Sequence, residues 1–484
     1  MIFNSYSFLF LFLPVTLAGF YLLGRTTQKG AALWLLLASL VFYCSWDVRF
    51  LPILLLSMSG NYWMCGRILS GQQSSKKRWL TAAVVFNLAL LGYFKYANFF
   101  LATINGITSQ NIELLTIILP IGISFFTFTQ ISLLVDAYHG KLKTIDPLHY
   151  ALFTAYFPYI VAGPVLHHQE MLPQFADPVN YRVHGNNFAV SATLFTFGLA
   201  KKLLIADNLV PLVNAAFGSD QPHLIQAWLG VLAYSFQLYF DFSGYSDMAL
   251  GVSRLFGFQI PFNFNSPYKA ASVSEFWLRW HISLSRFLRN YLYIPLGGNR
   301  SGQMARYRNL MLTMLLGGLW HGANWTFVIW GGLHGLYLCV QHGWRGWRRG
   351  ETTAEPPGML RGFFNRGLTF LAILVAWCFF RAADVPSALN LLAGMAGGNG
   401  FSPVTADPFG LCMLGIAAGI AFFLPNTNEM ILHLESRFAN KPASFSLVNT
   451  QWSSSIRWGV ATGVLLALCL LSMDKPQDFI YAQF

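Results

Sequence analysis

Long apolar stretches recur along almost the whole chain, and they constrain its fold more than any other feature. A helix needs about 20 apolar residues to cross about 30 Å of hydrocarbon, and many of the stretches approach that length. Their cores are residues 2–23, 31–44, 50–65, 79–101, 112–138, 148–164, 187–206, 223–240, 307–341, 364–383, 408–425 and 456–473. Since no soluble domain fits between them, we expect a single integral membrane domain over residues 1–484.

The composition supports a membrane protein. Hydrophobic residues make up 55% of the 484 residues and charged residues only 10%, whereas roughly a quarter of the residues in a soluble domain are charged. Some stretches are short or interrupted, as at Pro120-Ile121-Gly122 and Gly331-Gly332. We therefore predict an all-α polytopic membrane protein with about ten to twelve membrane-embedded helices, some of them short or re-entrant.

The placement of charge predicts an orientation. The net charge of +12 is spread over short clusters between apolar stretches, which favours a membrane surface over a nucleic acid as the partner. The loop 67–78 carries four basic residues and no acidic one, so the positive-inside rule places it in the cytoplasm. Counting back two spans puts the N-terminus on the periplasmic side. The first stretch lacks the basic region and cleavage site of a signal peptide, which predicts a retained span.

Residues 239–308 interrupt the apolar pattern with aromatic, basic and turn-forming residues. Ser272 and Glu275 have the spacing of a capping box, which predicts a helix start. On one continuous helix His281 would lie on the apolar face. The opposite face would carry Arg279, Arg286 and Arg289. Two interpretations stay open: an interfacial helix whose arginines meet lipid phosphates, or a basic face that meets an anionic substrate beside a reactive histidine.

A second candidate site surrounds His321, which follows Trp320 and precedes Asn324 in a long apolar stretch. An ionisable residue in the middle of a span is costly unless it serves a pathway or a reaction. The alternative is a hydrogen bond between helices, which we also consider for His334. Direct cooperation between His334 and His321 would require a break at Gly331-Gly332. The sequence predicts no metal site, because no histidine, cysteine or carboxylate set has metal-ligand spacing.

Four segments together resemble a known family. They are AYFPYIVAGPVLHHQEMLPQF (155–175), FGLAKKLLIADNL (197–209), YFDFSGYSDMALGVSRLFGFQIPFNFNSPYKAASVSEFWLRWHISLSRFLRNYLYIPLGGNR (239–300) and LGGLWHGANWTFVIWGGLHG (316–335). Their content and order resemble the membrane-bound O-acyltransferases, and more closely the bacterial polysaccharide branch typified by alginate O-acetyltransferase. The pair RWHISLSRFLRNYLYIPLGG and LWHGANW is highly specific. The signature core is residues 155–335.

The resemblance implies a ring of helices around a central funnel and a role for each candidate residue. His321 takes the place of the family's catalytic histidine, and His281 that of its second polar signature residue. Trp320 and Asn324 would support or orient the catalytic imidazole. The three arginines would bind the phosphates of acetyl-CoA, a cytosolic donor rather than a permanently bound cofactor.

The implied function is transfer of acetyl groups across the bacterial inner membrane for O-acetylation of an exopolysaccharide, most simply alginate. The implied partners are periplasmic acetyl-relay or acetyltransferase proteins, besides the lipid bilayer. Alternatives are the same chemistry on cellulose, a teichoic acid or another cell-surface polymer, and, in another class, a proton-coupled transporter. The His167-His168 pair stands where alginate-type relatives tend to carry an arginine, which leaves the polymer open.

Overall fold

The computed structural model describes residues 1–348, 358–402, 407–431, 451–473 and 479–480. Within these ranges the chain forms twenty α-helices, some extended by π or 3-10 turns, and no β-strand. The first ten helices are α1 (Leu13–Gly24), α2 (Gln28–Cys44), α3 (Leu51–Ser70), α4 (Gln73–Leu91), α5 (Ala97–Thr108), α6 (Ile123–Tyr138), α7 (Pro147–Ala155), α8 (His168–Ala176), α9 (Gly185–Ala200) and α10 (Asp207–Phe217). The other ten are α11 (Leu224–Leu255), α12 (Val273–Arg279), α13 (Ile282–Leu288), α14 (Gln303–His321), α15 (Trp325–Arg348), α16 (Met359–Arg381), α17 (Val385–Met395), α18 (Pro408–Phe423), α19 (Thr427–Ile431) and α20 (Ile456–Leu471).

Helix length and hydropathy identify fewer spans than the sequence predicts. Among the described residues, three continuous helical stretches are long and apolar enough to cross a membrane: Gln73–Thr108, Gly185–Phe217 and Met359–Arg381. A fourth span arises if the pair Gln28–Cys44 and Val48–Ser70, bent by 120°, is counted as one. The all-helical class is confirmed for this part of the chain. The count of ten to twelve embedded helices stays a prediction.

Two predicted stretches are helical over only part of their length. In the stretch 112–138 the helix begins only at Ile123, directly after Gly122 with φ of +72°, so the predicted break at Pro120-Ile121-Gly122 is present. A Cβ atom at Gly122 would lie 2.4 Å from the carbonyl oxygen of Ile160, which leaves room only for glycine. In the stretch 148–164, α7 ends at Ala155 and turns follow. The helix α7 is therefore too short to span a bilayer.

The apolar stretch 307–341 is a helical hairpin rather than one span. The predicted break at Gly331-Gly332 is wrong, because α15 runs through both glycines, and the chain turns at residues 322–324 instead. A Cβ atom at Gly331 would lie 2.3 Å from the carbonyl oxygen of Met314 and 3.2 Å from the Cα atom of Gly318. The glycine therefore allows close approach of α14 and α15, as small residues do in membrane helix pairs.

The two neighbouring glycines of α15 provide a matched test of this packing. We expect Gly331→Ala to destabilise the protein by about 1–3 kcal/mol, because the added methyl group overpacks the contact between the hairpin helices. At Gly332 the nearest atom to an added Cβ is a Leu315 side-chain carbon at 3.5 Å. Gly332→Ala should be neutral or stabilise by up to about 1 kcal/mol through helix propensity. Thermal unfolding in detergent checks both, and equal midpoints would contradict the packing role of Gly331.

The longest described helix, α11, carries buried charges that are paired with its neighbours. Lys202 Nζ lies 2.7 Å from Asp241 Oδ1 and 2.9 Å from Asp207 Oδ1. The other carboxylate oxygen of Asp241 accepts a hydrogen bond of 3.0 Å from the Ile480 backbone amide. Beside this group, Lys201 Nζ lies 2.6 Å from Asp247 Oδ2. These ion pairs join α11 to the segment between α9 and α10, and so fix one side of the helix assembly.

Candidate active site

His321 is the last residue of α14, immediately before the turn of the hairpin. Its side chain is buried, and three aromatic rings surround the imidazole. The ring centroids of Trp320, Trp330 and Phe380 lie 4.9, 5.0 and 5.3 Å from that of His321. The sequence predicts that His321 lies in the middle of a span. It lies instead at the end of a helix, because the extended backbone of Gly322 terminates α14. A helix end leaves the side chain less enclosed by its own backbone.

A cavity of about 200 Å³ reaches His321. Its wall is formed by Trp46, Phe50, Lys95, residues 119–125, Val161, Trp320 and His321. The imidazole is therefore buried within the protein and at the same time adjacent to a space that a small group can enter. This combination suits a side chain that reacts, since a substrate group that enters the cavity can reach the imidazole.

The sequence analysis missed Lys95 and Tyr96, which hold the end of α14. Lys95 Nζ donates to the carbonyl oxygens of Trp320 (2.7 Å) and His321 (3.1 Å). The Tyr96 hydroxyl donates to the carbonyl oxygen of Leu319 at 2.8 Å. A lysine inside the apolar stretch 79–101 was a usable signal, because charged side chains within spans generally have a function.

His281 is also buried and near His321, although the predicted helix does not reach it. The helix begins at Val273, with Ser272 as its N-cap as the sequence predicts, and the Ser272 hydroxyl accepts from the Glu275 amide at 3.3 Å. It ends at Arg279, and α13 starts at Ile282. The prediction of one continuous amphipathic helix is therefore wrong.

The break exists because His281 has left-handed backbone angles, φ 42° and ψ 55°, which few residues other than glycine adopt. Its imidazole Nδ1 lies 3.3 Å from the Asn263 side-chain oxygen. The ring centroid lies 6.4 Å from that of His321. Strained backbone of this kind is often found at functional sites, and here it brings the second signature histidine close to the first.

The other predicted supporting residues have different positions. The Trp320 ring stacks on Phe128, with centroids 5.1 Å apart and planes 17° apart, so it forms part of the wall beside His321. Both polar atoms of the Asn324 amide are engaged elsewhere: the oxygen accepts from the Thr326 amide at 3.0 Å, and the nitrogen donates to the Ala383 carbonyl at 2.8 Å. Asn324 caps α15 and does not orient the imidazole.

His334 makes a hydrogen bond between helices, which was one of the roles considered for it from the sequence. Its Nδ1 accepts from the Trp277 indole at 3.2 Å. The Trp330 ring lies between the two histidines of the hairpin, with centroids 4.8 Å from His334 and 5.0 Å from His321. This geometry favours a structural role for His334.

The three predicted donor-binding arginines differ in their partners. Arg279 pairs with Glu275 at 2.8 Å, and its guanidinium also donates to the Asn265 carbonyl at 3.0 Å. Arg286 makes two hydrogen bonds to Glu170, of 2.6 and 3.0 Å. Arg289 is exposed, and no acidic side chain of the described residues forms an ion pair with it. The guanidinium of Arg289 therefore has the greatest freedom to bind an anion.

A second polar cluster lies close to the Arg286–Glu170 pair, and the sequence analysis did not predict it. The Tyr291 hydroxyl donates to Asp136 Oδ2 at 2.8 Å and lies 3.0 Å from His167 Nδ1. Asp136 also pairs with Lys141 at 2.8 Å and with His168 at 3.3 Å. Adjacent histidines in sequence gave no hint that a tyrosine and an aspartate would connect them. Across the described residues, no group of three or more histidine, cysteine or acidic side chains is arranged to hold a metal ion.

Residues 40–380 match the family model of the membrane-bound O-acyltransferases. The chain is 44% identical over 465 residues to a peptidoglycan O-acetyltransferase of Helicobacter pylori, covering 90% of this chain and 85% of that protein. It is 46% identical over 403 residues to a probable alginate O-acetylase of Azotobacter vinelandii, covering 82% of this chain and 78% of that protein. A teichoic acid D-alanyltransferase of Bacillus subtilis is 29% identical over 279 residues, which cover 54% of this chain and 66% of that protein.

Proposed function

Because this chain belongs to the membrane-bound O-acyltransferase family, we propose that it uses His321 to transfer acetyl groups from acetyl-CoA for O-acetylation of a cell-surface polysaccharide. The observation that carries the proposal is the position of His321, buried among aromatic rings and adjacent to a cavity. The signature segments 155–335 form its functional core. Since the family consists of acyltransferases, membership disfavours the transporter alternative.

The distribution of basic residues predicts which side of the membrane the cavity faces. The helix α2 begins between Arg25 and Lys29, and α3 ends at Ser70, within the basic segment 67–78. By the positive-inside rule both ends face the cytoplasm of a bacterial inner membrane, with the N-terminus on the periplasmic side. Residues 45–50 join the opposite ends of α2 and α3, and Trp46 and Phe50 line the cavity. The cavity therefore lies toward the periplasm.

The donor would approach from the other side. Tyr138, at the end of α6, shares a surface pocket with Lys77 and Arg78 of the basic segment 67–78, so the positive-inside rule assigns that end of α6 to the cytoplasmic side. The nearby Asp136 accepts from Tyr291, and Tyr291 lies two residues after Arg289. Of the three arginines, Arg289 is thus the best placed to meet the phosphates of acetyl-CoA.

The chemistry requires one proton acceptor. His321 takes the proton of an acceptor hydroxyl as its oxygen attacks the thioester carbonyl. The carbon–oxygen bond forms, the carbon–sulfur bond breaks, and the departing thiolate receives the proton from the imidazolium. Alternatively, His321 is acetylated first and passes the acetyl group on. In both cases His281 would orient the imidazole or stabilise the developing oxyanion.

The relatives support two acceptors. Alginate is our first candidate, because the probable alginate O-acetylase of Azotobacter vinelandii is 46% identical to this chain over 403 residues. Peptidoglycan is the second, because the Helicobacter pylori relative named for it matches 90% of the chain. Both are glycans outside the cytoplasm, so we propose that periplasmic relay or acetyltransferase proteins receive the acetyl group and complete the transfer.

The test is donor turnover by the purified full chain in proteoliposomes. Labelled acetyl-CoA is supplied on the side of the basic loops, and free thiol and labelled product are measured. We expect release of thiol that depends on His321 and on an acceptor, either a glycan or a periplasmic partner. Acetylation of the polymer in cells without any turnover of acetyl-CoA by the active protein would exclude this donor.

A further inference from the structure

We propose that Lys95 is a positioning residue that fixes the end of α14, and with it His321, for acyl transfer; this inference rests on the proposed function of His321. Lys95 belongs to the π-helical turn Gly92–Tyr96 within the long span Gln73–Thr108. Such π turns widen a helix locally and are frequent at functional sites. This turn places Lys95 and Tyr96 against the last turn of α14.

The last four carbonyl groups of any helix lack partners within that helix. At membrane depth no bulk water can satisfy them. Lys95 and Tyr96 supply donors to three of the four in α14, namely the carbonyl oxygens of Leu319, Trp320 and His321. The end of the helix that carries the reactive histidine is therefore capped by side chains of another helix.

Lys95 also joins the parts of the cavity wall. An ammonium group has three N–H donors, and the third contact of Lys95 is the Ser124 hydroxyl at 3.3 Å. Ser124 belongs to the start of α6, which lines the same cavity. One side chain thus connects the span Gln73–Thr108, α6 and α14 around the space next to His321.

In its protonated form, Lys95 also differs from a neutral cap by its charge. A cation is favoured at the C-terminal end of a helix, where the helix dipole is negative. The ammonium nitrogen also lies 6.0 Å from the centroid of the Trp320 ring, within the range of a cation–π interaction. The two carbonyl contacts hold the backbone of Trp320 and His321, and the ring contact holds the Trp320 side chain. Together they fix the backbone from which the imidazole of His321 projects.

The experiment compares Lys95→Met, Lys95→Arg and Tyr96→Phe in the proteoliposome assay. We expect Lys95→Met to lower kcat by about 10²-fold with a change in the KM for acetyl-CoA of less than about threefold, since a misplaced catalytic group slows chemistry rather than donor binding. Lys95→Arg keeps a cation with several donors and should restore kcat to within about tenfold of the wild type. Tyr96→Phe removes only one neutral hydrogen bond to the same helix end, so it should lower kcat by about threefold to tenfold, clearly less than Lys95→Met does.

A merely structural Lys95 would give a different pattern. Lys95→Met and Tyr96→Phe would then change kcat equally, or Lys95→Met would change only KM, and either result overturns the proposal. If Lys95→Met does not accumulate as folded protein, folded Lys95→Arg decides: activity supports the proposal and inactivity overturns it. If the wild type does not turn over acetyl-CoA, the donor in the proposed function is wrong, and the three variants are compared by polymer acetylation in cells, where we expect the same order.

Discussion

Replacing His321 with alanine is expected to reduce acetyl transfer by about 10²–10⁴-fold, the usual contribution of a positioned general base. The imidazole lies at the end of α14 beside the cavity, and the rings of Trp320 and Trp330 pack against it. Alanine removes the proton acceptor, or the acetyl carrier, and leaves these rings in place. Turnover of labelled acetyl-CoA and acetylation of the polymer in cells both measure the loss.

The matched control is His334, a second buried histidine in the same hairpin that contacts the same Trp330 ring. His334→Ala removes the hydrogen bond with Trp277 and should lower stability by about 1–3 kcal/mol. The folded fraction should retain activity within about tenfold of the wild type. If folded His321→Ala protein were as active as His334→Ala protein, His321 would not be the reactive residue.

Replacing Lys202 with methionine is expected to destabilise the protein by about 3–5 kcal/mol, the cost of breaking a buried ion pair by removing one partner. Both Asp241 and Asp207 lose their cation in this variant. The side chain of Asp241 is only 2% exposed, so water cannot replace the lost ammonium group. The midpoint of thermal unfolding in detergent measures the effect.

The neighbouring Lys201 is the control for this second prediction. Lys201 pairs with the single carboxylate of Asp247, and the two side chains are 15% and 10% exposed. Lys201→Met leaves only one carboxylate without its cation, and that carboxylate is more exposed to solvent than Asp241. The fall in melting temperature should therefore be clearly smaller than for Lys202→Met. Equal falls for the two variants would show that burial of the Lys202 group does not determine stability here.

The helical class could be predicted from sequence, and His321 could be singled out as a candidate, because each leaves a local signal. Apolar stretches predict membrane helices directly, and the WHG segment around His321 is distinctive in itself. The helix start after Ser272 also depends on nearby residues only, since the serine hydroxyl accepts a hydrogen bond from the amide of Glu275, three residues further along.

The positions of two other breaks depend on packing and could not be predicted. Gly331-Gly332 looks like an interruption but lies inside α15, because the space that Gly331 leaves is filled by the backbone of α14. The break at His281 falls on a residue with no local turn signal. The arginines show the same limit: two of the three pair with carboxylates, and the partner of Arg286, Glu170, is 116 positions away in sequence.

The close contact between α14 and α15 also bears on how the protein is made. Among the described helices, neither α14 nor α15 is long and apolar enough to count as an independent span. Two helices that bury each other's polar groups can enter a bilayer more readily as a pair than one by one. We therefore expect the translocation machinery to release α14 into lipid only after α15 has been synthesised, so that His321 enters the bilayer already covered by its partner helix.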